Sequence, residues 1–447
     1  MGLRAVRRCG RTRVLLLLVT FGVSATPAST QTRLTLDEAM SRAQRDTPDA
    51  QAIAATIDES AARIRRAQAE FWPRVDVMET VQRGNQPVFV FGSLLSQRRF
   101  TAANFAIPAL NDPDPVTNTR TTVALEQRVF DAGVTRLGVE AATLDREAAT
   151  ATGEAARQEL AFRAVQAFVR VLQVEATVQA TDAAVAAAES DRERARARRE
   201  VGLVTEADVL AVDVHLADMR QRQGEAAADL AVARLELAEA VGLPLTVSVV
   251  PVRPDSRPVL TEADVLVREA LTTHPLRRQA NIELQLADNG RRTARAALLP
   301  TIGVQAGWEL NGATIGAQQS SWVVGTEVRV NVFRGFADTA RMAEARHAHL
   351  RAAAARTRVE RRIEVDVRAA IAQLAAARLR QDAGQAALSQ ARESQRIIRD
   401  RYSNGLATVT DLLRAAEAAF AAESRATTAD MDVIVRSVAL DRARGRL

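Results

Sequence analysis

The sequence predicts a mainly α-helical chain that is built from two structural repeats, each with a pair of amphipathic β-strands. Three observations lead to this fold class. Proline and glycine motifs recur at equal spacings in the two halves, two stretches of about 70 residues contain no proline, and four short segments alternate apolar and polar side chains. Each repeat is therefore predicted to run as a helix, a β-hairpin and a long α-helical coiled-coil hairpin.

The two halves share a spacing between two prolines. Pro73 follows Pro48 after 25 residues, and Pro300 follows Pro275 after the same 25 residues. Each half is predicted to open with a helix, because Thr35-x-x-Glu38 and Thr261-x-x-Asp264 have the pattern of a capping box. The helix ends before Pro73 or Pro300, since proline disrupts a helix interior.

A second spacing connects the strands to a later turn. Gly202 follows Phe130 after 72 residues, and Gly405 follows Phe333 after 72 residues. Two independent spacings that agree to the residue indicate an internal duplication. The predicted organisation is a signal peptide at residues 1–28, a first repeat at 29–242, a proline-rich linker at 243–260 and a second repeat at 261–447.

The N-terminus has the pattern of a secretory signal peptide. Five arginines precede the apolar run Val14–Val23, and small residues follow at Ala25 and Ala28. The apolar run is too short to cross a bilayer as a helix. Cleavage would remove the only cysteine, Cys9, and lower the net charge from +6 to about +1. Disulfides, thiolate metal sites and a nucleic-acid partner are therefore not expected.

The predicted strands are residues 74–83 and 119–129 in the first repeat and residues 301–310 and 321–333 in the second. Along residues 301–310, Ile302, Val304 and Trp308 lie on one face, whereas Gln305 and Glu309 lie on the other. An apolar face opposite a charged face fits a strand between lipid and water. The alternative is a surface sheet on a soluble domain.

Long helices follow each strand pair, at about residues 134–242 and 336–445. Alanine, arginine, glutamate and leucine dominate these stretches. About 65 helical residues would extend about 100 Å, far beyond an ordinary globular helix, so the helices must pack side by side with neighbours. No later run of apolar residues is long enough to form a transmembrane helix.

Four strands are too few to close a membrane barrel, because the smallest bacterial barrels have about eight. An open sheet edge cannot face lipid, since unpaired backbone groups are costly there. The strands must therefore pair with other chains. Two chains would give a bore that side chains fill, whereas a homotrimer would give a 12-stranded transmembrane β-barrel with a conduit.

The duplicated motifs resemble those of the outer membrane efflux protein family, the TolC-like channels. The resemblance depends on the strand starts after Pro73 and Pro300, on the turn that begins at Phe130 and its variant at Phe333, and on two Gly-Leu-x-Thr-x-x-Asp-x-Leu turns. It covers essentially the whole chain after the signal peptide. It implies an outer-membrane barrel that is open outside and is continued through the periplasm by an α-helical barrel.

The resemblance also implies the partners. The family forms homotrimers in outer-membrane lipid and docks onto a periplasmic adaptor, also called a membrane fusion protein. The adaptor connects the channel to an inner-membrane pump of the RND or ABC type. The implied function is export in a tripartite efflux or type I secretion system. A structural periplasmic coiled coil and a pump adaptor are the alternatives, and neither accounts for four amphipathic strands.

The two glycine-containing turns have a structural interpretation. Glycine tolerates the left-handed conformation that ends a helix, and a threonine three residues before an acid begins the next helix. The resemblance puts these turns at the periplasmic tip, where they would contact the adaptor. The predicted docking residues are Val201, Gly202, Leu203, Thr205, Asp208, Gly405, Leu406 and Thr408.

The resemblance further places a gate near the second turn. Tyr402, Asp411 and Arg414 are the candidates. Some members of the family have an acidic residue at the position of Arg414, so this chain departs from a ring of two acids per chain. Asp411 and Arg414 could instead pair with each other on one helical face.

The first strand pair is separated by a longer connection than the second. The first hairpin exceeds the second by 24 residues, and the excess includes the apolar stretch Pro87–Leu95. This segment could pack on the barrel mouth or plug it. Elsewhere the sequence has no triad, phosphate loop or paired-acid cleft, so we predict no enzyme activity, no cofactor and no metal site.

Overall fold

The computed structural model describes residues 32–247, 249–254 and 262–447, so the predicted signal peptide lies outside the described residues. In the first half the elements are β1 (Thr32–Leu34), α1 (Leu36–Ala43), α2 (Pro48–Ala69), β2 (Arg74–Gly84), α3 (Pro87–Ser96), α4 (Ile107–Asn111), β3 (Val116–Phe130), α5 (Val134–Glu200) and α6 (Glu206–Ala240). In the second half they are β4 (Val249–Pro251), α7 (Ala263–Thr273), α8 (Pro275–Ala296), β5 (Thr301–Gly312), β6 (Gln318–Arg329), α9 (Ala337–Ser403) and α10 (Val409–Ala443).

Corresponding helices of the two halves have equal lengths. Helices α2 and α8 each have 22 residues, α5 and α9 each have 67, and α6 and α10 each have 35. Helices α2 and α8 both begin with a proline in the first turn, after Thr47 and His274 respectively. Those two residues cap the helix ends with their side chains, which satisfies backbone N–H groups that have no partner within the helix.

The four predicted strands form one antiparallel sheet in the order β2-β3-β5-β6. One row of directly paired residues crosses all four strands and contains Val77, Val123, Trp308 and Trp322. Because side chains alternate along a strand, the next row lies on the opposite face, and there the paired residues include Thr122 and Glu309. The sheet therefore has one apolar and one polar face, as the alternation predicts.

The strand boundaries differ from the prediction by one to four residues, most at β3 and β6. Strand β3 begins at Val116, before residue 119, because it continues to pair with β2 as far as Gly84. Strand β6 spans Gln318–Arg329 instead of residues 321–333. Its last residue pairs with Thr301, the first residue of β5, so residues 330–333 have no partner on that strand.

The long helices pack as two antiparallel hairpins, α5 with α6 and α9 with α10, and α10 also packs on α5. One core joins the middle of α5 to the C-terminal ends of α6 and α10, and it contains the buried side chains of Phe168, Leu237 and Val438. Alanine and glycine allow the close approach of α9 and α10: a Cβ at Gly384 would lie 3.4 Å from the Cα of Ala426. None of the helices in the described ranges is long and apolar enough to cross a membrane.

Candidate functional site: the tip turns

We call the turns between α5 and α6 and between α9 and α10 the tip turns. In both, glycine adopts positive φ, 74° at Gly202 and 78° at Gly405. The N–H of Leu203 donates to the carbonyl of Arg198 at 2.9 Å, and the N–H of Leu406 donates to that of Arg401 at 2.8 Å. This is the Schellman arrangement, in which glycine supplies the left-handed residue that ends the helix.

A reciprocal pair of hydrogen bonds begins the helix after each tip turn. The N–H of Asp208 donates to the Thr205 hydroxyl at 3.3 Å, and the Asp208 carboxylate accepts from the Thr205 N–H at 2.9 Å. Asp411 and Thr408 repeat these bonds at 3.2 and 3.1 Å. The hydrogen bond from the Thr408 hydroxyl is the largest of the effects that lower the pKa of Asp411. Both predicted capping boxes are present.

The tip turns expose apolar side chains. Val201, Leu203 and Leu406 are 69%, 65% and 67% exposed. The helix ends hold the backbone of both turns in place, so these side chains project from fixed positions. Exposed apolar groups of this kind are typical of surfaces that contact a partner.

Tyr402 is buried between the two hairpins, with 1% of its surface exposed. It packs with Val209 of α6 and Leu412 of α10. The guanidinium carbon of Arg198 lies 4.9 Å from the centre of its ring, and an Arg198 N–H donates to the Tyr402 carbonyl oxygen. Burial raises the pKa of Tyr402, and its hydroxyl has no hydrogen-bond partner among the described residues.

An ion pair near the tip joins α5 to α9. The carboxylate of Asp191 accepts from Arg399 at 3.2 Å and from Arg194 of its own helix at 2.9 Å. Asp191 is 3% exposed, so water screens the pair less than it screens a surface pair. Together, Asp191 and Arg198 connect the first helical hairpin to the second.

Sequence reasoning did not identify Asp191 or Arg198. In the sequence, Arg198 belongs to an arginine-rich run that is typical of a solvated helix face, and the tyrosine that it contacts is 204 residues away. A local signal was available for Asp191, because it follows Ala188 and precedes Ala195 at helical spacing and both alanines are buried. Aspartate is rarely buried without a partner, so its position among apolar side chains of one helix face indicates that Asp191 is paired.

The three gate candidates have different surroundings. Asp411 caps α10, Tyr402 lies in the core, and Arg414 is exposed. None of the ion pairs among the described residues joins Asp411 to Arg414, although the charge of Arg414 contributes to the lowered pKa of Asp411. The carboxylate of Asp411 is already held by Thr408.

A family model described as outer membrane efflux protein matches residues 39–243 and 266–446 of the chain. The chain is also 25% identical over 341 residues to the outer membrane efflux protein BepC of Brucella suis, and the match covers 74% of each protein.

Solved structures share the fold. A membrane protein from Pseudomonas aeruginosa has a TM-score of 0.76 and 20% identity, over 92% of this chain and 93% of that one. The outer membrane protein VceC of Vibrio cholerae has a TM-score of 0.72 and 18% identity, over 92% of this chain and 96% of that one. The CmeC outer membrane channel of Campylobacter jejuni has a TM-score of 0.76 and 16% identity, over 92% and 85%.

Proposed function

Since the chain belongs to the outer membrane efflux protein family, we propose that it is the outer-membrane channel subunit of a tripartite export system in a Gram-negative bacterium. The observation that carries this proposal is the sheet with one apolar and one polar face, attached to helical hairpins of great length. Its 67-residue helices extend about 100 Å at about 1.5 Å per residue, which suits a conduit through the periplasm.

The functional unit is a homotrimer. Strands β2 and β6 are the two edges of the sheet, and their outer backbone groups need partners in lipid. Pairing β6 of one subunit with β2 of the next closes a 12-stranded barrel from three chains, since each contributes four strands. The two halves of each chain would then give the trimer a pseudo-sixfold arrangement, with repeat boundaries at about residues 242 and 261.

The tip turns dock a periplasmic adaptor, which connects the channel to an inner-membrane pump of the RND or ABC class. The exposed side chains of Val201, Leu203 and Leu406 supply apolar contact area. The positive-φ glycines beside them leave the backbone accessible to an approaching hairpin of the adaptor.

The tip is also the gate. Arg198 and Asp191 hold the two helical hairpins together, and opening the tip requires the hairpins to separate. Three copies of Asp411 would approach the axis of the trimer, with Tyr402 and Arg414 nearby. The contacts between hairpins offset the mutual repulsion of these carboxylates in the closed state.

The test is purification from outer membranes followed by planar-bilayer recording. We expect a detergent-stable trimer with discrete conductance, and loss of export in a strain without the gene. A well-folded monomer, or a protein released from membranes without detergent, would instead support a periplasmic coiled coil or an adaptor.

A further inference from the structure

The 85–115 segment, which connects β2 to β3, is fixed to the sheet by buried polar groups. The side-chain amide of Gln97 donates to the Asn118 side chain at 2.9 Å and to the Thr117 carbonyl at 2.8 Å. Asn118 in turn donates to the side-chain oxygen of Asn311 at 2.9 Å. Gln97, Asn118 and Asn311 are 3%, 1% and 0% exposed. Buried polar groups that satisfy one another specify a single arrangement.

These bonds determine on which face of the sheet the segment lies. Asn311 is paired with Arg120 and lies two residues from Glu309, so it belongs to the polar face. Arg120 also donates to the Asn311 side chain, at 3.1 Å. The apolar row with Val77 and Trp308 is on the opposite face. The segment is therefore anchored on the face that the proposed barrel turns towards its water-filled interior.

A second contact extends the segment across the sheet. Arg98, the residue after Gln97, donates to the carbonyl of Ser320 on β6 at 3.3 Å. Arg98 has φ of 53°, a conformation that non-glycine residues rarely adopt and that neighbouring contacts must hold. The segment thus begins on the first strand hairpin and reaches the last strand of the second.

Beyond these anchors, the segment exposes apolar side chains. Phe100 packs edge-to-face with Phe91 at 4.8 Å and with Phe105 at 5.1 Å between ring centres. Around this cluster, Phe105 is 65% exposed and Ile107 is 73% exposed. Leaving such side chains in a water-filled opening is unfavourable, so a partner surface is expected there.

We propose that the 85–115 segments of three subunits meet on the axis of the trimer and narrow the outer opening of the channel. This inference rests on the proposed function. The occupant of each apolar surface is a second copy of the segment. Lipid cannot fill this place, because the segment lies on the polar face of the sheet, and threefold symmetry arranges three identical apolar surfaces around one axis. The chain would then depart from the family arrangement, which is open outside.

The experiment uses two single-cysteine variants, Ile107→Cys in the segment and Ile315→Cys in the turn between β5 and β6. The two isoleucines are similarly exposed, 73% and 77%, at the same end of the sheet. Cys9 lies in the predicted signal peptide, so each variant would have one thiol in the exported chain. Each Ile107→Cys trimer has three thiols and can form one disulfide, so mild oxidation should link up to two of its three chains as a covalent dimer. Ile315→Cys trimers should form at least several-fold fewer such dimers.

Oxidised Ile107→Cys trimers should also conduct less than reduced ones, and a reductant should restore the conductance. If both variants are trimers and link equally, the segments do not meet on the axis. If Ile107→Cys links selectively but its oxidation leaves conductance unchanged, the segments do not narrow the outer opening. If the purified protein is not a trimer, the proposed function fails and this inference fails with it.

Discussion

At the scale of single residues, one guanidinium group contacts both sides of the tip. Arg198 belongs to α5, yet it covers the ring of Tyr402 at the end of α9 and bonds to its carbonyl oxygen. A Cβ added to Gly405 would lie 3.4 Å from the same guanidinium group. In the proposed gate, the interaction that holds the tip closed is therefore made by Arg198 and does not involve the Tyr402 hydroxyl.

We therefore expect Arg198→Ala to open the channel more than Tyr402→Phe does. A hydrogen bond from a charged donor contributes about 1.5–3 kcal/mol, and about 1.4 kcal/mol changes a small open population tenfold. Single-channel recordings should show at least a tenfold higher open probability for Arg198→Ala, at normal trimer levels.

Tyr402→Phe is the matched control, because it keeps the buried ring and removes a hydroxyl that has no partner among the described residues. Its recordings should resemble those of the unmodified channel. Closed channels in Arg198→Ala, or wide opening in Tyr402→Phe, would mean that other groups hold the gate.

The exposed leucines of the tip turns lead to a second prediction at this scale. Leu203→Glu and Leu406→Glu place charges on the surface proposed to contact the adaptor, and charge without a partner opposes burial there. We expect export to fall at least tenfold in cells, while trimers still reach the outer membrane.

Ile315→Glu serves as the control, since Ile315 is as exposed as these leucines but lies in the turn of the second strand hairpin. Cells that carry Ile315→Glu should export as much substrate as cells with the unmodified channel. Full export by the Leu203→Glu, Leu406→Glu double variant would show that the tip turns only connect helices.

At the scale of elements, the two halves begin their second helices with different capping groups at the same position. Thr47 accepts from the N–H of Ala50 at 3.2 Å, and His274 Nδ1 accepts from the N–H of Leu276 at 3.2 Å. Only an unprotonated Nδ1 can accept this bond. Burial is the main effect on His274, and it lowers the pKa of this imidazole below its ordinary value, although Asp366 acts in the opposite direction.

His274→Thr, which copies the cap of the first half, should make stability less sensitive to acid. A lowered folded-state pKa means that the unfolded chain binds the proton first, so the stability due to neutral His274 is complete above the ordinary pKa of 6.5 and declines as pH falls below it. Thermal unfolding, followed by helical circular dichroism at about pH 7.5 and pH 5.5, should show a smaller decrease for the variant than for the unmodified protein. Equal decreases would mean that other groups set the pH dependence.

The elements also show which features local sequence can predict. The capping boxes at Thr205 and Thr408, the long helices and the alternation of the strands depend on residues a few positions apart, and all were predicted. The ion pair of Asp191 with Arg399 joins residues that are 208 apart, and the anchor of Gln97 on Asn118 joins residues 21 apart. Local periodicity can indicate that Asp191 is buried, but it does not identify the partner of Asp191 or of Gln97. The side of the sheet on which the 85–115 segment lies therefore cannot be predicted from local sequence.

At the scale of the whole molecule, the orientation of the sheet between lipid and water is the property on which the other proposals depend. In a single chain the two faces are almost equally accessible: Val77 on the apolar face is 70% exposed, and its neighbour Met78 on the polar face is 62% exposed. Assembly in a membrane would make them very different. Val77 would contact acyl chains, and Met78 would contact the water of the channel.

A pair of arginine substitutions at these neighbouring positions separates membrane orientation from strand stability. Val77→Arg should disfavour insertion by up to about 2–4 kcal/mol per chain, the cost of an arginine on the lipid face at mid-depth. Met78→Arg introduces the same side chain at the neighbouring position of β2, but there the charge stays in water. This variant should therefore assemble nearly normally. The yield of detergent-stable trimers from outer membranes measures the difference, and we expect it to fall at least tenfold for Val77→Arg alone. Equal losses would point to a general defect of β2, and a loss confined to Met78→Arg would mean that the sheet faces the other way, with the 85–115 segment outside the channel.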